Sequence, residues 1–395
     1  MRSAVRFRLP PELEAAAPPE ARGLRRDHVR LLVVDRADGS VDHHRFHELP
    51  RLLDSGDLLV VNDSRTLPAS LLGRTAAGEP VEVRLAARDP GGPGGADEPG
   101  RGPEDADGRE PAGAAVPRAE RAERWAVLVL GVPVGHPDPA LVPTDARPAA
   151  PVLAAGERLE FAGGLGATVL GRHEEARPLV WLTFDAAGER LAEALHQAGR
   201  PVRYAYVPRA WPLHHYQTLF AAGPGSAEMA SAGRPFTVQT LADLRQRGVG
   251  LAVISQHAGR STYGDPATDQ VFVPAEPYLV PAATAAAVAA TRAAGGRVIA
   301  VGTTVVRTLE TAAGGGDGAV RPGPGVSRLR ISPGFPLRVV DGLLTGLHEP
   351  EASHLDLLGA FLGPAALQRA YAAALDGGYL WHEFGDVCLL LPRRS

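Results

Sequence analysis

Short aliphatic runs cut by glycine, proline or polar clusters set the rhythm of this chain. "GDLLVVNDSR" (56–65), "GLAVISQHA" (250–258) and "RVIAVGTT" (297–304) read as buried strands rich in β-branched residues. They alternate with helical patterns at "TVQTLADLRQRG" and "ATAAAVAATRAAG", which predicts an α/β layer. Between them the texture differs. "PVEVRLAA", "RWAVLVLG", "RLEFAG", "GATVLG" and "PLVWLTF" are close-set strands punctuated by turn residues, as in a small barrel or sandwich. The expected organisation is an α/β domain at 1–65 and 191–395, with an antiparallel β domain inserted at 66–190.

Two segments break the pattern. Residues 88–124 are crowded with Gly, Pro and charge and cannot bury enough apolar surface to order themselves, so a disordered excursion in a hairpin is expected. "GGGDGAVRPGPG" (314–325) is expected to be a second flexible loop.

"VIAVGTTVVRTLE" (298–310) predicts a strand, a turn at Gly302 and a helix in which Val305, Val306 and Leu309 share a face. Thr303 or Thr304 is expected to cap that helix. Its N–H groups favour an anion, and Arg307, one turn on, can lean toward the same place. A capped turn with a solvated arginine is the plain alternative.

With 395 residues, 45% hydrophobic, the chain can bury two cores. No stretch approaches the ~18 apolar residues of a membrane span, and the first residues lack a signal-peptide core, so a cytoplasmic protein is expected. A single cysteine, Cys388 in "DVCLLL", excludes an internal disulfide and a cysteine zinc cage, and fits core packing. There is no lysine, which removes Schiff-base chemistry and the P-loop lysine. Net charge of −4 gives no global case for nucleic-acid binding, leaving only local arginine patches.

Polar clusters follow the strands: Asn62, Asp63 and Arg65; His257 and Arg260; Thr303, Thr304 and Arg307. Ligands gather outside the carboxyl ends of strands in such layers, so the clusters point to one site. Gly346, His348 and Pro350 interrupt an apolar run before Ser353, which is expected to cap a helix, and Glu383 and Asp386 flank a turn at Gly385. In "GRPVRYAYVPRAW", Arg200, Arg203 and Arg209 interleave with Tyr204, Tyr206 and Trp211, a composition suited to phosphate contact and base stacking, or to a solvated strand face.

Taken in order, "GDLLVVNDSRTLPASLLG", "YQTLFA", "GSAEMASAGRPFT", "GRVIAVGTTVVRTLE", "PGFPLRVVDGLLTGLHEPEASHLDLLGAF" and "YLWHEFGDVCLLL" resemble the S-adenosylmethionine:tRNA ribosyltransferase-isomerases of queuosine biosynthesis. The resemblance implies an α/β domain with an inserted β-barrel. It also implies transfer and isomerisation of the ribosyl part of S-adenosylmethionine onto an aminomethyl-deazaguanine base in tRNA, with loss of adenine and methionine. S-adenosylmethionine is then a substrate, no metal or other cofactor is expected, the partner is tRNA, and the protein is expected to be a monomer. The chain departs from the family in "SAGRPFT", "QHAGRSTYG" and "DQVFVPAEP", where Arg234, Pro235, Arg260 and Ser261 replace the usual residues and Glu276 is retained. A relative acting on a small nucleoside or amine, and a non-catalytic RNA- or nucleotide-binding relative, are the competing expectations.

That chemistry needs a base for the acidic C5′ proton, a donor for departing adenine and a grip on the methionine carboxylate. His257 is the first candidate for the base and Asp63 the second, because imidazole exchanges protons near neutrality; a structural role for His257 is the alternative. Arg65, Thr303, Thr304, Arg307, Glu276, His348 and Asp386 are the candidate substrate-binding residues, and Arg200, Arg203 and Arg209 the candidate tRNA contacts.

Overall fold

The computed structural model describes residues 5–90 and 123–392, apart from 134, 136–141, 143–145, 315, 317 and 351. Most of the expected excursion at 88–124 therefore lies outside the described residues.

Alternation along the predicted strands builds a sheet covered on both faces. Leu58 and Val60 of the strand Leu58–Asn62 enter one apolar cluster, and Leu59 and Val61 the other. The nine strands run in the order Gly323–Ser327, Glu276–Val280, Gly250–Gln256, Leu58–Asn62, Val298–Val301, Gly342–Gly346, Val387–Leu391, Arg30–Asp35, Val41–Arg45. The four from Gly250 to Gly346 in that order are mutually parallel, and antiparallel strands extend both sides. Helices Ala282–Ala293 and Thr303–Ala312 cover one face through Ala285, Val288, Val305, Val306 and Leu309. Helix Val238–Gln246 covers the other through Leu244. The expected α/β layer is present, and Cys388 is buried in its centre.

The inserted unit is a closed antiparallel barrel of six strands: Ser70–Thr75, Pro80–Arg88, Arg124–Gly131, Leu179–Phe184, Gly166–Arg172 and Arg158–Phe161, the last returning to pair with the first. Arg88 faces Trp125 across the hairpin that carries the excursion. The barrel runs further than 190. Helix Gly188–Ala198 drives Leu191 and Leu195 into the barrel core, and Gly199–Arg200 pairs with Ser70 and Leu71. The turn at 185–188 resembles a domain boundary in sequence, but the amphipathic helix after it has its apolar stripe satisfied by the barrel.

The expected loop at 314–325 is also corrected at its end. Gly323–Ser327 is an edge strand paired with Glu276–Val280, because the sheet offers a ladder that a Gly-Pro sequence does not advertise. Ser353 is the first residue of helix Ser353–Leu358, not its cap; Ala352 holds that position with no side-chain hydrogen bond.

Candidate functional site

Where Val298–Val301 ends, Gly302 adopts φ 96°, a conformation that favours glycine, and its N–H donates to Leu344 O at 2.8 Å. Gly302 is itself the N-cap of helix Thr303–Ala312. Thr303 and Thr304 are its first two residues and neither caps it, contrary to expectation. Both face a cavity of about 160 Å³ instead. Asn62 Nδ2 donates to Thr304 Oγ1 at 3.4 Å and to Gln256 O at 2.9 Å, tying the ends of three neighbouring strands to this helix start.

Arg307 lies one turn along and lines the same cavity. Its Nε donates to Leu329 O at 3.0 Å, its Nη1 is 2.6 Å from Glu276 Oε2, and its Nη2 is buried without a hydrogen-bond partner among the described residues. Glu276 also accepts from Gly259 N at 2.9 Å and from Gln256 Nε2, so the arginine is held by a carboxylate that is itself fixed. The orphaned Nη2 beside the first turn of the helix, whose N–H groups have no acceptor within the helix, makes this corner suited to a carboxylate or phosphate oxygen.

Three histidines complete the wall. His348 Nε2 lies 2.9 Å from Thr345 Oγ1, its N–H donates to Tyr371 Oη at 3.1 Å, and its ring stacks on His354 with centroids 4.7 Å apart. His382 packs edge-on against Tyr204, and its Nδ1 is buried without a partner among the described residues. Burial, and then the neighbouring imidazoles, push the His348 pKa well below the usual histidine value. Burial, then His382 and Arg307, push that of His354 down to about 4. Burial likewise lowers His382. These imidazoles are neutral at pH 7.

The carboxyl of Glu383, also on the wall, is lifted well above the carboxylate range by burial and by Glu228. Glu228 and Arg260 line the cavity as well.

The structure thus brings Thr303, Thr304, Arg307, Glu276 and His348 together. The other candidates lie elsewhere. His257 is outside the cavity lining: its ring packs against Gly225, and its Nδ1 is 2.8 Å from Ser64 Oγ. Burial, then Arg88, lowers its pKa. Asp63 accepts from Ser255 Oγ at 2.6 Å, and Arg65 sits in the short strand Arg65–Thr66 beside Pro224–Ser226; neither lines the cavity. Asp386 is a backbone clamp, accepting from Arg30 N at 2.6 Å and Leu380 N at 2.8 Å, outside the cavity. Arg203 donates to Val207 O, Arg209 lies over the Trp211 ring at 5.1 Å, and Arg200 is exposed at the barrel's last pairing. Arg234, which departs from the family, is buried with its Nη2 2.8 Å from Glu20 Oε2.

Sequence reasoning passed over His354, His382 and Glu228 as site residues. All three fall inside the stretches that carry the family resemblance, and that position was the available signal.

Among known proteins, a family model described as queuosine biosynthesis protein matches residues 2–390. A Sorangium cellulosum protein named S-adenosylmethionine:tRNA ribosyltransferase-isomerase is 36% identical over 97% of this chain and 96% of its own. Proteins of the same name from Gloeobacter violaceus and Anaeromyxobacter dehalogenans are 36% and 37% identical, each over 98% of this chain, and over 94% and 98% of their own.

Proposed function

We propose that this chain, which belongs to the queuosine biosynthesis protein family of S-adenosylmethionine:tRNA ribosyltransferase-isomerases, moves and rearranges the ribosyl group of S-adenosylmethionine onto a 7-aminomethyl-7-deazaguanine base in tRNA. The product is an epoxyqueuosine base; adenine and methionine leave. The expectation of that activity agrees with the match over nearly the whole chain.

Within this function, the helix start at Thr303 and the orphaned Nη2 of Arg307 take the methionine carboxylate. Glu276 keeps the guanidinium aimed at that corner. His382, with a buried nitrogen that has no hydrogen-bond partner among the described residues, is the base for the C5′ proton. His257 and Asp63, one layer behind the wall, position the loop that carries Ala258 and Gly259 into the cavity. Arg200 and Arg209, both exposed and in the same segment of chain as the stacked Tyr204 and Tyr206, are suited to tRNA phosphates.

The observation that carries this assignment is one cavity lined both by Arg307, whose Nη2 has no hydrogen-bond partner among the described residues, and by a neutral imidazole at His382. Incubation with S-adenosylmethionine tests it, with and without tRNA bearing the aminomethyl base. Adenine release that requires the tRNA is expected. Release without tRNA would move the protein to a small acceptor or to cofactor cleavage, and no release in either case would refute the enzymatic function.

A further inference from the structure

The anion corner leaves the cavity's carboxyl groups unexplained. Glu383 is only 8% exposed, lines the cavity, and has a buried Oε2 with no hydrogen-bond partner among the described residues. Glu228 lines it too, its carboxylate accepting from Tyr204 Oη at 3.3 Å and Ser261 Oγ at 2.9 Å. An open cleft of about 720 Å³ shares Tyr204 with the cavity and is lined by Glu349 and Glu14. Four carboxyl groups therefore run from the cleft to the cavity past one tyrosine. No arginine lies within ion-pair distance of Glu228 or Glu383 among the described residues.

Enclosing like-charged groups, with Arg260 and Arg234 acting on Glu383 only from beyond ion-pair distance, costs free energy that protonation or a ligand of opposite charge recovers. The ligand that fits is cationic and rich in N–H donors. It is also flat, because Tyr204 and Tyr206 stack at 5.6 Å and 17° to form a planar wall at the entrance. The entrance carries Glu14 and Glu349 against Arg8, a net negative lining that disfavours phosphodiesters, so a nucleic-acid backbone stays at the rim while a cationic base is drawn in.

We propose that Glu228 and Glu383, beside Tyr204, form the acceptor subsite and bind the primary ammonium group and ring N–H donors of an amine-bearing deazaguanine. This rests on the function proposed above. Burial and mutual repulsion raise the pKa of Glu383 and of Glu349, as expected for a carboxyl cluster awaiting a cation.

The test is equilibrium binding of two tRNAs that differ only in carrying the aminomethyl base or its neutral cyano counterpart, to the wild type and to Glu228→Gln and Glu383→Gln. The wild type should prefer the aminomethyl tRNA by roughly tenfold or more, the value of one charge-assisted contact, and each folded variant should lose most of that preference. S-adenosylmethionine affinity, titrated separately, should stay within about twofold. Equal binding of the two tRNAs by the wild type overturns the proposal without any variant. So does a preference that survives in Glu228→Gln, or a variant that loses S-adenosylmethionine while keeping the preference, which would assign the carboxylates to the sulfonium or α-ammonium. Thermal melts identify a variant that fails to fold, and Glu228, the more exposed of the two, then decides. Absence of adenine release with the preference intact would refute the reaction and leave the amine subsite standing.

Discussion

Glu276 Oε2 lies 2.6 Å from Arg307 Nη1, so the guanidinium that faces the cavity is already half neutralised and is aimed rather than loose. The pair joins the edge strand Glu276–Val280 to the helix that begins at Thr303. Arg307→Ala should weaken S-adenosylmethionine binding about ten- to a hundredfold, the loss of one charge-assisted contact. Glu276→Ala should instead cost about 3 kcal/mol of folding stability, because it leaves a largely enclosed cation without its partner. Calorimetric titration of the first variant and denaturant unfolding of the second separate binding from stability.

Two histidines compete for the role of base. His382→Asn should lower adenine release by about a hundredfold or more, the usual worth of a general base, with S-adenosylmethionine affinity little changed. His257→Asn should show mainly a lower melting temperature, since Ser64 Oγ loses the Nδ1 partner 2.8 Å away. A larger rate loss in the His257 variant would return the base to the strand end. Single-turnover rates decide between them.

The cavity imidazoles make the protein acid-sensitive. His348, His354 and His382 all have folded pKa values below the ordinary 6.5, that of His354 at about 4. Below pH 6.5 the unfolded chain takes up protons that the folded chain refuses, so stability is fully present above 6.5 and falls as pH drops toward 4. His354→Gln should flatten that slope. Melting temperatures between pH 7.5 and 4 measure it, and a slope unchanged in the variant would show that other groups carry the effect.

A second acid transition lies lower. Burial raises the Glu20 carboxyl, but the hydrogen bond and charge of Arg234, with help from Arg26, outweigh it and hold the pKa at about 2. A depressed carboxyl stabilises the fold above its unfolded value of 4.5, and that contribution is lost as pH falls toward 2. After allowance for solvent screening of the partly exposed Glu20, Glu20→Gln should cost roughly 1–2 kcal/mol at pH 7 and remove this part of the acid dependence. Urea unfolding at pH 7 and pH 3 tests it.

Residues 91–122 should be replaceable by a short turn. Asp89 N donates to Arg124 O at 2.9 Å, so the strand ends that the segment joins are already adjacent. The shortened protein should melt within a few degrees of the full chain and release adenine at the same rate; a broad, non-cooperative melt would show that the segment contributes to the core.

What was written locally in the chain was legible without coordinates. Unbroken aliphatic runs in "GDLLVVND" and "RVIAVG" marked buried strands, the 3.6-residue spacing after Gly302 marked the helix, and the close-set strands from 80 to 184 marked the barrel. Each of these is a relation between neighbours a few positions apart, and the solvent preference of each side chain enforces it. The ordered motifs likewise identified the family. What meets at the cavity was decided only by the order of strands in the sheet and by the barrel's insertion. Gly302 rather than a threonine caps the helix because backbone geometry at the strand end requires a positive φ. Glu276 reaches Arg307 because the strand order brings their elements together, while the same packing turns His257 toward Ser64 and Asp386 toward backbone N–H groups. Partners so distant along the chain leave no periodic trace, since their meeting depends on the closure of the whole fold.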